Sequence, residues 1–141
     1  MISETGLPGV LLALQRAAHR TVHALATTLA ELDLTPSELN ALANLADGRP
    51  RSVRALALDT GTRATTLTGV LDRLERRGYL TRELDAADRR SFRVTLTEQG
   101  RTVAARVHEA VTALERGALA GLSSQQLAAF HAVITALQEV P

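Results

Sequence analysis

The chain has 141 residues, enough for one domain or two small intimate ones, and its 45% hydrophobic content is enough for a real core. It has no cysteine, which excludes disulfides, thiolate metal sites and thiol-based sensing and fits a reducing compartment, the cytoplasm. The net charge of +1 hides an asymmetry: residues 49–93 hold eleven arginines against six acids and the remainder five against nine, so a basic centre suited to a polyanion stands between acidic ends.

Residues 7–31 read as a long helix, with Leu7, Leu11, Leu14, Ala18, Val22, Leu25 and Leu29 on one apolar stripe. The run LPGVLLALQRAA inside it lacks a basic leader and follows Glu4, so no export signal is expected, and no apolar run is long enough to span a bilayer. TPSE at 35–38 opens a second helix. Thr35 caps it, Pro36 suits its first position, Glu38 completes a capping box, and Asp47-Gly48 ends it. Ser52 caps a short third helix through Leu58, and DTGT at 59–62 makes a tight turn in which Gly61 is free to take positive φ. A fourth helix, from about Arg63 to Arg77, buries Leu67, Val70, Leu71 and Leu74 and stops at Gly78.

A β-hairpin follows, with Leu84 opposite Phe92 and Glu83 opposite Arg93. Leu80, Leu84, Phe92, Val94 and Leu96 then share one face, and Arg82, falling among them, needs a partner. Thr97 caps a fifth helix carrying Val103, Val107, Val111 and Leu114. SSQQ at 123–126 is a second capping box, opening a sixth helix with Leu127, Phe130, Ile134 and Leu137 on its apolar side. The expected fold is mainly α with a small β-hairpin and six helices.

Short helix, glycine turn, second helix and two-stranded hairpin is the order of a winged helix-turn-helix. The side of the fourth helix opposite its apolar stripe carries Thr65, Thr68, Gly69, Asp72, Arg73 and Arg76, with Thr66 on one flank and Arg63 at its start. Threonine hydroxyls can read base edges, threonine methyls can touch thymine methyls, and Gly69 lets the backbone approach closely. At the hairpin tip, Arg89 and Arg90 have the shape and charge to enter a minor groove of enhanced negative potential. Asp88 beside them would repel phosphate unless it pairs with a neighbouring arginine, so its expected role is to stiffen the loop.

The stretch TTLTGVLDRLERRGYLTRELDAADRRSFRVTLTEQG, residues 65–100, resembles the core of the MarR family of transcriptional regulators. The likeness rests on LDRLERRGYLTR, the wing DAADRR and VTLTEQG, and extends to the flanking helices. It implies a homodimer whose first and last two helices interlock, each winged module binding half of a near-palindromic operator on double-stranded DNA. The implied division is a helical dimerisation region over 1–34 and 98–141 and a DNA-binding domain over 35–97. By the same likeness Arg90 takes the wing-arginine position, Arg89 is its basic neighbour, and Thr65, Thr66 and Thr68 face bases. Gly69 departs from the longer polar side chain that many members carry there. The resemblance also implies a repressor released by a small aromatic or phenolic effector.

Terminal helices that are half apolar need a surface to bury against, either a second copy or the monomer's own core. His19 and His23 stand four apart on the first helix, a spacing that can hold a metal, with His108 on the fifth. No motif supports a metal, so the two are placed at the rim of the ligand pocket, and neither metal nor cofactor is expected. No GxSxG elbow, phosphate loop or paired-carboxylate motif is present, so no enzyme is expected. With 2% aromatics, stacking on single strands or RNA is disfavoured. The alternative function is a winged-helix interaction module whose basic face meets an acidic protein partner.

Overall fold

A computed structural model describes residues 9–141. The six expected helices are α1 (Val10–Thr28), α2 (Pro36–Leu45), α3 (Val53–Thr60), α4 (Ala64–Arg76), α5 (Glu98–Leu119) and α6 (Ser124–Gln138). Strands β1 (Arg51–Ser52), β2 (Leu80–Leu84) and β3 (Phe92–Leu96) form one antiparallel sheet in the order β1-β3-β2.

The local signals act as their chemistry requires. Thr35 Oγ1 accepts from the Glu38 N–H at 3.2 Å, and the Glu38 carboxylate accepts from the Thr35 N–H at 3.1 Å. Ser123 and Gln126 repeat the box on α6. Gly61 and Gly78 adopt φ of 69° and 79°, closing α3 and α4 in the left-handed region where a Cβ is penalised. The hairpin register pairs Leu84 with Phe92 and Glu83 with Arg93, as the alternation predicts.

Three features differ from the sequence reading. The sheet has three strands rather than two, because Arg51 and Ser52 add to β3 opposite Val94 and Arg93; two residues are too few to show an alternation. The first helix stops at Thr28, and a 3₁₀ turn (Ala30–Leu32) and Asp33 in the left-handed conformation (φ 51°) follow. Two consecutive β-branched residues, Thr27 and Thr28, weaken the helix there, and Leu29 turns into the core at 2% exposure. Leu7, at the start of the expected helix, lies outside the described residues. Finally, the hairpin's apolar face is buried only at its base: Leu80, Val94 and Leu96 join the core, whereas Leu84 and Phe92, beyond Arg82, are exposed.

The core is built by Leu39, Leu42 and Leu45 of α2, Leu56 of α3, the four predicted apolar residues of α4, the base of the hairpin, and Ala104, Val107 and Ala110 of α5. Each buried leucine contributes about 2 kcal/mol by removal from water. Helices α1 and α6 bury no residue at all. No helix among the described residues is long and apolar enough to cross a membrane.

Helix α5 is docked on the hairpin through Thr97 and Gly100. Thr97 donates from Oγ1 to the Gly78 carbonyl (2.6 Å) and from its N–H to the Tyr79 carbonyl (3.0 Å), while its Oγ1 caps the Gly100 N–H (3.0 Å). A Cβ on Gly100 would lie 1.7 Å from the Tyr79 carbonyl oxygen, a backbone atom that no rotamer change can move. Gly100→Ala is therefore expected to destabilise the fold by roughly 3 kcal/mol, at the upper end of overpacking penalties; urea denaturation measures it, and a loss below about 1 kcal/mol contradicts the close approach.

Candidate nucleic-acid interface

Helix α4 divides cleanly. Leu67, Val70, Leu71 and Leu74 are buried, while Thr65, Thr66, Thr68, Arg73 and Arg76 are exposed and Gly69 is half-buried. Arg63 stands at the N-cap and makes no side-chain cap, so the first-turn N–H groups are open to water or to a phosphate. Thr68 donates its hydroxyl hydrogen to the Ala64 carbonyl (2.9 Å). What it offers outward is therefore its oxygen lone pairs and its methyl, which suit a base amino group or a thymine methyl.

The wing tip is closed by its own backbone. The Asp85 N–H donates to the Ser91 carbonyl (2.9 Å) and the Ser91 N–H to the Asp88 carbonyl (3.0 Å). Asp88 Oδ1 accepts from the Arg90 N–H (3.1 Å) and stands 3.6 Å from Arg90 Nε. The Arg90 side chain is nevertheless 91% exposed, so Asp88 shapes the turn while the cation stands in solvent. Arg89 is exposed beside it.

Helix and wing are joined by Arg82. Its Nε donates to Glu75 at 2.9 Å and its Nη2 to Asp72. Burial works to lower the pKa of this guanidinium, but the hydrogen bonds and charges of Glu75 and Asp72 outweigh it and hold it above the ordinary arginine value. The expected partner of Arg82 is thus found. Asp72, read from helical geometry as part of the outward face, is instead committed to Arg82; a wheel drawn for one helix cannot show the strand that packs beside it.

Thr68 and Arg90 line one groove of about 550 Å³ with Arg54, Leu58 and Phe92. Leu58 and Phe92 are exposed apolar side chains of this groove. Arg54 was missed in the sequence reading, although its place two residues after the Ser52 cap puts it on the first turn of α3. Arg73 lies further along α4, with Nε 4.0 Å from the buried carboxylate of Glu38 and Nη1 3.7 Å from where a Cβ on Gly69 would stand. Other arginines of the basic centre are used internally. Arg51 pairs with Asp47 and, at 3.5 Å, with Asp59, and Arg77 donates to backbone carbonyls.

Away from this face, a cavity of about 470 Å³ opens between α1, α2 and α5, lined by Val22, Leu25, Leu29, Leu39, Val107 and Val111 among others, with Ser37 and Asn40 as its polar members. His19 and His23 lie exposed on α1 and are not among its lining residues. The apolar stripe of α1 turns Val22 and Leu25 into the cavity, and the histidines fall to its outer side. No cluster of three or more His, Cys, Asp or Glu side chains stands together among the described residues.

A helix presenting threonines, set beside a wing with exposed arginines, defines a winged helix-turn-helix DNA-binding protein. Residues 32–91 match the model of the MarR family. A probable transcriptional regulator from Pseudomonas aeruginosa shares 31% identity over 88% of this chain and 93% of its own, with a TM-score of 0.66. The chain belongs to the MarR family of DNA-binding transcriptional regulators. BpsR of Bordetella bronchiseptica, whose DNA binding is regulated by 6-hydroxynicotinic acid, is 26% identical over 94% of this chain and 95% of its own (TM-score 0.77). NadR, solved in complex with 4-hydroxyphenylacetate, shares the fold over the full length of both chains at 100% coverage (TM-score 0.82, 19% identity).

Gly69 gives this interface a two-sided test. The nearest atom to an added Cβ is 3.7 Å away, an ordinary contact, so Gly69→Ala should stabilise the helix by about 0.5–1 kcal/mol. If the DNA backbone or a base approaches there, the same substitution weakens binding while the melting temperature rises. Unchanged affinity in a fluorescence anisotropy titration takes Gly69 out of the interface.

Proposed function

We propose that the chain acts in the cytoplasm as a homodimeric repressor. It binds a near-palindromic operator and is released by a small aromatic ligand. The observation that carries the dimer is the apolar surface left on the terminal helices. Val10, Leu11, Leu12, Phe130 and Val133 are between 42% and 60% exposed, and Val10, Leu14, Phe130, Val133 and Ile134 line one apolar groove between α1 and α6. Side chains of this kind need a partner surface, and a two-fold axis lets one patch serve as its own complement.

On this reading the terminal segments, residues 1–34 and 98–141, form the dimerisation region and residues 35–97 the DNA-binding domain. The axis sets two α4 helices about one DNA turn apart, ~34 Å. Thr65, Thr66 and Thr68 then read bases in the major groove with Gly69 admitting close approach, Arg63 and Arg73 hold phosphates, and Arg89 and Arg90 enter the minor groove on a loop shaped by Asp88. The effector reading is supported by the cavity between α1, α2 and α5 and by the hydroxylated aromatic acids named with BpsR and NadR. His19 and His23 would join that site only at its outer rim.

Selection of bound duplexes from a random pool should enrich an inverted repeat with half-sites about 10 base pairs apart, centre to centre. A single asymmetric site, together with a monomer in sedimentation, removes the dimer. Replacing Arg89 and Arg90 together by Ala should weaken binding about tenfold or more and reduce the slope of log K against log[salt] by up to ~2; an unaltered slope removes the wing from the phosphate and groove contacts.

A further inference from the structure

Arg77 stands outside the interface just described, yet it makes the longest-range hydrogen bonds of α4. From the C-cap of that helix it donates Nη1 to the Asp33 carbonyl (2.6 Å) and Nη2 to the Leu32 carbonyl (2.9 Å). Its guanidinium also lies 5.1 Å over the ring of Tyr79, which holds the fork in place. The two acceptors form the joint between α1 and α2, where Asp33 takes the left-handed conformation. Glu31 in the same turn is tied to α5 by Arg106 at 3.2 Å. Besides the shared core, one side chain thus ties the end of the recognition helix to the segment that leaves the first helix.

We infer that Arg77 is a positioning residue: by clamping the α1–α2 joint it fixes the angle between the recognition helix and the first helix, and so sets the half-site spacing that the dimer accepts. The inference rests on the dimer reading above. Within one protomer, α1 buries no residue in the core that carries α4, so the fold and the outward face of α4 do not depend on that angle. Across a two-fold axis the placement of the two faces does, since a small rotation at the joint moves the far ends of the α4 helices along the DNA.

The test uses the full chain and the duplex enriched from the random pool, with its half-sites moved one or two base pairs closer or further apart, and a duplex carrying a single half-site. The wild type should lose affinity at least about tenfold when spacing is changed. Arg77→Ala should bind the single half-site as the wild type does, bind the enriched duplex more weakly, and show a spacing penalty cut to about threefold or less. Arg77→Lys, a point donor without the planar fork, should fall between them. Thermal melting and half-site affinity report whether each variant is folded. Undiminished spacing discrimination in Arg77→Ala overturns the inference. So does loss of half-site binding in a folded variant, which makes Arg77 a DNA contact. A wild type indifferent to spacing sinks the dimer reading itself, and that result is read before any variant is examined.

Discussion

The wing and the recognition helix work together only if the angle between them is fixed, and that angle rests on Arg82. A strand whose same-face neighbours are leucines places a guanidinium against α4, where Asp72 and Glu75, one turn apart, receive it. The planar fork donates to both acids at once, which a lysine cannot do with the same geometry. The side chains are 23%, 44% and 39% exposed, so the pairs add little to global stability. Their effect is orientational. The single positive charge of Arg82 also offsets one of the two negative charges that Asp72 and Glu75 place on the helix whose outer face carries Thr65 and Thr68, where unpaired acids would repel a polyanion.

The arginine surplus of the central segment thus divides by task. Arg51, Arg77 and Arg82 are engaged by carboxylates or carbonyls, Arg77 while remaining exposed, and hold the turn after α2, the α1–α2 joint and the wing. Arg54, Arg63, Arg89 and Arg90 are exposed around α4 and the hairpin tip. Counting charge along the chain finds the basic region but not this division, because each partner of the engaged group comes from packing.

The same distinction separates what was legible in the sequence from what was not. Both capping boxes, the glycine stops, the hairpin register and the buried stripe of α4 follow from spacings within one element or across one turn, and all appear in the fold. The commitment of Asp72 and the third strand depend on neighbours elsewhere, and the end of α1 does so in part, where Leu29 enters the core just after Thr27 and Thr28. Arg77 is the extreme case: its acceptors are 44 and 45 residues away, and in LERRGYL nothing marks it apart from Arg76 beside it. His19 and His23 are the converse case. Their four-residue spacing is legible, but spacing does not say which side of the apolar stripe faces a cavity.

One short element touches both the cavity and the recognition helix. The first turn of α2 supplies Pro36 and Ser37 to the cavity wall, and the next residue, Glu38, is buried at 4% exposure with its carboxylate near Arg73 of α4. Glu38 is already held by the capping box, so it cannot shift alone; moving it means moving the turn. A ligand that displaces Pro36 or Ser37 therefore acts on the Arg73 contact through a single rigid turn of helix. Close packing makes such a displacement a discrete repositioning rather than a gradual strain.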